Sequence, residues 1–387
     1  MSDAAELPES HRAGWFELFF DLVFVVIVAV LAQGLHGDPG PAQFGTFLVL
    51  FFPAWWAWVN LMLTVNVFGS TATRVQAVLL AVMPGLGLLA AAAPQGLGSR
   101  AWAYALGAAW VRVMLFVLWW QQARRGFSGI PLWRPLLYGL TTAVMWAVSA
   151  ALPSPARFVL WGLAIALEVV LLAVRTGPSE ESHLGVYAQL SLEHLVERIG
   201  LFVVIVLGES VFTLVVSLAA HFTGASGAAA LFGFVAVAEL AMIFFLWGTE
   251  NAARGLDRAR SAGATRAIRD TVMYLPFLLV SGITVIAAGL GTAVAEPLHV
   301  LPAGARWALA GGVIAFYTAN AAISLRYGDG VRTVLRWYVP YLVVTGGVLV
   351  PAALLLDAWA AVAVTAGVIL LLAKLSRWKA LRAQRRA

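Results

Sequence analysis

Apolar residues run through this chain in blocks of about 17–25, the length a helix needs to cross the hydrocarbon core of a bilayer. Twelve such blocks can be read, roughly at 15–36, 44–66, 74–93, 101–121, 134–152, 156–174, 194–220, 227–250, 270–291, 305–325, 334–355 and 357–375. Gly/Pro-rich breaks such as GDPGP at 37–41, PQGLG at 94–98 and LPSP at 152–155 separate several of them. The tightest breaks, at 152–155 and at Leu356/Asp357, leave eleven helices as the alternative. The expected fold is all-α: a polytopic membrane helix bundle of about 12 transmembrane helices, one integral membrane domain over residues 1–387. The pentapeptide FVVIV occurs at Phe24 to Val28 and again at Phe202 to Val206, each time after an acidic turn. Each copy lies in the first helix of a six-helix half. The chain thus reads as a candidate pair of parallel repeats, 1–175 and 194–375, followed by a basic tail at 376–387.

Charge supports the same topology. Of the 25 Lys and Arg residues, 20 fall on the side of the N-terminus and 3 on the other, with Arg112 and Arg198 inside helices. Short cytoplasmic loops collect basic residues, so both termini are expected in the cytoplasm. The net charge of +6 is therefore a topology signal and not a groove for nucleic acid. The tail from Lys374 is placed to meet anionic headgroups or to anchor the last helix. Hydrophobic residues make up 61% of the chain and charged residues 11%, far from the balance of a soluble domain. Met1 to Ser10 is acidic and polar, unlike a secretory signal. Cysteine is absent, which excludes disulfides and thiolate metal sites, and the six histidines show no metal-ligand spacing. No cofactor is implied.

Against so apolar a background, each ionisable residue inside a run needs a partner, since a lone charge in hydrocarbon costs at least about 2.5–3.5 kcal/mol. The stretch from Ser191 to Ala220 is the richest: a charged turn with Glu193, His194, Glu197 and Arg198, then a long apolar segment broken by Glu209 and Ser210. Arg198 and Glu209 lie within about 20° of each other around the helix. Glu17 and Asp21 are one turn apart in the first run, close enough that one carboxyl should hold its proton or that a cation should lie between them. Solvated carboxylates at headgroup level are the plainer reading. Arg112, central in the fourth run, must reach a carboxylate, and Glu209 at similar depth is the expected one. Glu168 stands in the sixth run, Glu239 in the eighth, and Asp270 opens the ninth. Within helices, carboxylates outnumber arginines, which favours a proton or small cation over an anion. His194 is a candidate gate, or simply an interfacial partner of Glu193 or Glu197. Trp55, Trp56 and Trp58 read as belt or core packing, and Pro84 and Pro276 occupy equivalent places in the two halves.

W-F-E-L-F-F-D-L-V-F-V at 15–25 and H-L-V-E-R-I-G-L-F-V-V-I-V-L-G-E-S at 194–210 resemble the two signature stretches of the bacterial low-temperature-requirement A (LtrA) family. Tyr104 with Arg112, and Arg269-Asp270, also fit that pattern. The resemblance implies a multi-pass protein of the bacterial cytoplasmic (inner) membrane, named for a growth phenotype. It carries over Glu17, Asp21, Arg112, His194, Glu197, Arg198, Glu209, Ser210 and Asp270 as the matching polar positions. Relatives usually place a histidine where Pro276 stands here, so any step using that histidine is lost or altered.

Three functions compete. A transporter or channel for protons, a small cation or a solute predicts a hydrated vestibule, open to the cytoplasm, reaching Glu209 and Arg112. A sensor or scaffold predicts every carboxylate matched by an Arg or a hydroxyl, and no cavity. A lipid-modifying enzyme lacks a metal motif, and Ser210 stands sixteen residues from His194, about 24 Å along one helix, so the two cannot form a dyad. The expectation is a non-enzymatic membrane protein whose partners are the bilayer and a small cation, proton or solute.

Overall fold

The computed structural model describes residues 15–69, 72–125, 132–174 and 191–384. Arg12, Arg175 and the end of the basic tail lie outside them. The helices fall on the apolar runs, and the backbone leaves the helix at both tight breaks, 152–155 and 356–357. They are α1 (Trp15–Gln33), α2 (Pro41–Phe68), α3 (Thr73–Ala92), α4 (Ala101–Arg124), α5 (133–151), α6 (Ala156–Val174), α7 (Leu192–Ala220), α8 (224–261), α9 (Thr265–Ala295), α10 (Ala303–Arg326), α11 (Val331–Leu355) and α12 (Ala358–Gln384). Nine helices among the described residues are long and apolar enough to cross a membrane. Among those residues there are no strands, only an isolated bridge between Val300 and Asp357 in two loops.

Sequence explains three of the four π-helical turns among the described residues; the fourth, Phe244–Gly248 in α8, has no proline near it. Proline lacks the amide hydrogen that closes the helix ladder, and the helix answers by widening nearby. In α9 a π-helical turn, Asp270–Tyr274, precedes Pro276. In α5 another, Leu136–Leu140, follows Pro135, and in α11 a third, Thr345–Leu349, follows Pro340. The disturbed turn of α9 is repaired from outside: the Trp55 indole N–H donates to the Met273 carbonyl at 2.7 Å. Pro84 in α3 has no such widened turn, so the two prolines at matching places act differently.

Helices packing in lipid gain little from the hydrophobic effect and rely on close backbone approach at small residues. Two crossings here use paired glycines. At the α3–α4 crossing, a Cβ on Gly107 would lie 2.8 Å from the Gly85 carbonyl oxygen. At α9–α10, a Cβ on Gly312 would lie 2.9 Å from the Gly282 carbonyl oxygen. These pairs hold the third helix to the fourth and the ninth to the tenth, the same ordinal places in each half. The FVVIV copies face alike too: Phe24 and Phe202 are buried, Val26 and Val204 are exposed, and Val28 and Val206 are buried. Between the halves, α1 packs directly against α7.

Gly312→Ala is expected to lose about 1–3 kcal/mol, because the opposing backbone carbonyl cannot move aside. The neighbouring Gly311→Ala, where a Cβ meets open space, should be neutral or slightly stabilising. Thermal unfolding of both variants in detergent checks this; equal melting temperatures would refute the close crossing.

Candidate functional site

The most connected group of buried charges lies where α1, α2 and α7 meet. Helical spacing sets it up: Glu17 and Asp21 are one turn apart on α1, and His194 and Arg198 are one turn apart on α7. The Arg198 guanidinium donates to Asp21 Oδ1 at 2.7 Å, and its second amino group stands 3.3 Å from Glu17 Oε2. His194 Nε2 approaches the same Glu17 oxygen at 3.1 Å, while its Nδ1 lies 3.8 Å from Glu197 Oε2. The Trp58 indole donates to Asp21 Oδ1 at 2.8 Å. Arg198, Glu17 and Asp21 are each at most 1% exposed. Two carboxylates against one guanidinium leave a deficit of one positive charge, which a proton on His194 or on a carboxyl would balance. Asp21 Oδ2 and Arg198 Nε have no hydrogen-bond partner among the described residues, so the network is not closed.

Local structure holds the group in place. Ser191 caps α7, its hydroxyl accepting from the His194 N–H at 3.3 Å. The Asn66 side chain of α2 both donates to the Ser191 carbonyl and accepts from the Ser191 N–H, each at 3.0 Å. That reciprocal pair fixes the start of α7 against the end of α2. The aromatic wall is Trp55, Trp58 and Phe202, with Trp58 and Phe202 ring centroids 4.5 Å apart. All three tryptophans 55, 56 and 58 are buried core residues, so the belt alternative is excluded for them. Trp58 is a polar partner of the site that residue counting missed.

Arg112 does not reach Glu209. Its guanidinium makes a bidentate pair with Glu168, at 2.6 and 2.9 Å, gives a third bond to the Ala108 carbonyl at 3.2 Å, and lies 4.9 Å over the Trp146 ring. The reason is packing: α4 lies mainly against α3 and α5, which keeps Arg112 within its own half. Tyr104, beside this pair, spends its hydroxyl on the Leu50 carbonyl. Among the described residues Glu209 instead accepts only from Thr213, at 2.9 Å on Oε1, and its Oε2 has no partner. Sharing a stripe with Arg198 does not bring the two together, since eleven residues of helix separate them by about 16 Å. Ser210 donates to the Val206 carbonyl at 3.1 Å. Glu239 is buried with one unpartnered oxygen. Asp270 is clamped between Arg269 at 2.7 Å and Arg326 at 3.0 Å.

The sequence-derived residues therefore form separate groups and do not converge on one vestibule. Glu17, Asp21, His194, Glu197 and Arg198 stand together; Arg112 with Glu168, Glu209 with Thr213, Glu239, and Asp270 with its arginines stand apart. A lateral crevice of about 600 Å³ opens between α2, α6 and α9, lined by Leu48, Phe52, Leu97, Phe158, Ile165 and Phe277. It is apolar and touches none of the charged groups.

The central group joins the two stretches, 15–25 and 194–210, that carry the family resemblance. A family model described as bacterial low temperature requirement A protein (LtrA) matches residues 12–374. The chain belongs to that family. An uncharacterized protein of Rhizobium meliloti (strain 1021) is 27% identical over 322 residues, 80% of this chain and 76% of its own length. In three dimensions the two LtrA signature stretches are the acidic and the basic side of one ionic hub.

Arg198→Met is expected to destabilise the protein by about 3–5 kcal/mol, because it leaves two buried carboxyls without their cation. Denaturation of the purified variant in detergent measures this. A loss below about 1 kcal/mol would mean that water already screens the hub.

Proposed function

We propose that this LtrA-family protein is a transporter of the bacterial cytoplasmic membrane, with both termini in the cytoplasm and twelve crossings arranged as two parallel six-helix halves. It moves protons, or a small cation or solute coupled to them, and Glu209 is the exchanging carboxyl. One observation carries this reading: Glu209 lies deep in α7, 8% exposed, with one oxygen unpartnered and no cation beside it among the described residues. Holding a charge there without a partner costs at least about 2.5–3.5 kcal/mol, so a buried carboxyl with a spare oxygen suits a group that exchanges protons with water. Arg112, by contrast, sits in a pair with nothing left over and serves as a structural tie. That completeness favours the second reading, a membrane sensor or scaffold whose buried ion pairs only fix helix register. The two readings divide on Glu209: to a scaffold the Thr213 hydroxyl is its match, whereas a carrier uses the oxygen left over.

Glu209→Gln keeps shape and volume but cannot exchange a proton. Reconstituted into liposomes with a pH-sensitive dye inside, it should dissipate an imposed pH gradient at least about tenfold more slowly than the unaltered protein. It should melt within about 1 kcal/mol of it, since no ion pair is broken. Undiminished flux would remove the carrier reading. Paired replacement of Arg112 and Glu168 by Met and Gln should leave flux within about twofold if the protein folds, because a structural tie carries no cargo.

A further inference from the structure

Glu209 begins a polar stripe that no charged neighbour explains. Glu209, Thr213, Ser217 and His221 follow one another at four-residue steps up the last turns of α7, drifting by about 40° at each step. The stripe is graded: Glu209 and Thr213 are buried, Ser217 is half-buried and His221 is exposed. Thr213 donates to Glu209 at 2.9 Å, and a ring nitrogen of His221 lies 3.1 Å from the Ser217 carbonyl. Across from the stripe, α9 offers no side chain at its nearest point. There it has Gly291, whose absent Cβ would lie 2.9 Å from Thr213 Cγ2, 3.3 Å from Ser217 Oγ and 3.5 Å from His36 Cε1. Three side chains from α7 and the α1–α2 loop thus meet around a bare backbone position. The loop is tied there, since Gly37, in a left-handed conformation at φ 78°, donates its N–H to Thr292 Oγ1 at 3.0 Å.

The geometry points to a proton port: His36, Ser217 and Thr213, gathered around Gly291, connect Glu209 to the end of the bundle that bears the α1–α2 and α7–α8 loops. This rests on the carrier reading above and adds to it the route and the side from which Glu209 is loaded. His36 keeps an exposed edge, while the protein packed around the rest of the ring holds its pKa below the ordinary histidine value. A neutral imidazole accepts a proton on one nitrogen and releases one from the other. The two hydroxyls, each donor and acceptor, pass it onward with bridging water, and it ends on Glu209 Oε2 as a carboxylic acid. The other charged groups nearby do not compete for this role. Asp38 is engaged with the Gly304 N–H at 2.6 Å, and His221 stands at the exposed mouth.

The chain contains no cysteine, so single cysteines report on water access without background. Full-length variants His36→Cys, Ser217→Cys and Val216→Cys are exposed, in membrane vesicles of each orientation, to a charged, membrane-impermeant maleimide. Val216 is next to Ser217 in depth and is exposed on the apolar flank. Ser217→Cys should label from the same face as His36→Cys, at least about tenfold faster than Val216→Cys, because maleimide needs a hydrated thiolate. In Thr213→Cys, adding Gly291→Ala should slow labelling several-fold by narrowing the junction. Ser217→Cys labelling no faster than Val216→Cys, or only from the opposite face, overturns the port even if Glu209→Gln has lost flux. Fast Ser217→Cys labelling beside undiminished Glu209→Gln flux overturns the carrier and the port's role with it.

Discussion

The structure depends most on one guanidinium. Arg198 cannot shed its proton, so burying it obliges the fold to bring carboxylates to it, and both come from another helix, 177 and 181 residues earlier in the chain. Its two acceptors, Asp21 and Glu17, lie on α1, which is the first helix of one half, while Arg198 lies on the first helix of the other. Around it the aromatic rings of Trp55, Trp58 and Phe202 exclude water, which strengthens each ionic contact and raises the cost of losing any one.

The hub also joins two stretches that share a pentapeptide but not their charges. FVVIV occurs once in α1 and once in α7 with the same inward and outward faces, and each half closes a glycine-to-glycine crossing at the same ordinal position. Superposing the two pentapeptides places Glu17 against Leu195 and Asp21 against Ile199. The acids therefore have no counterpart in the second half, and Arg198 falls opposite Phe20.

Much of the fold was legible because membrane helices must satisfy their backbone internally, so a long apolar block has little choice but helix. Grouping Glu17 with Asp21 and His194 with Arg198 needed only the helical period. What could not be read was which stripe faces which. Arg112 and Glu209 share a depth, yet the packing of α4 against α5 gave Arg112 to Glu168, a partner 56 residues on. Trp58 was legible as buried but not as a donor, since its indole direction depends on how α2 crosses α1. The stripe from Glu209 to His221 was present in the sequence as polar residues at four-residue steps. Its small hydroxyls make no impression on hydropathy, and its significance comes from Gly291 opposite.

A hub this costly to open constrains how the proposed carrier could move. Parting Arg198 from Asp21 and Glu17 in each cycle would expose uncompensated buried charge, worth about 3–5 kcal/mol per broken pair. Sliding α3 on α4, or α9 on α10, would drive backbone into backbone at the glycine contacts.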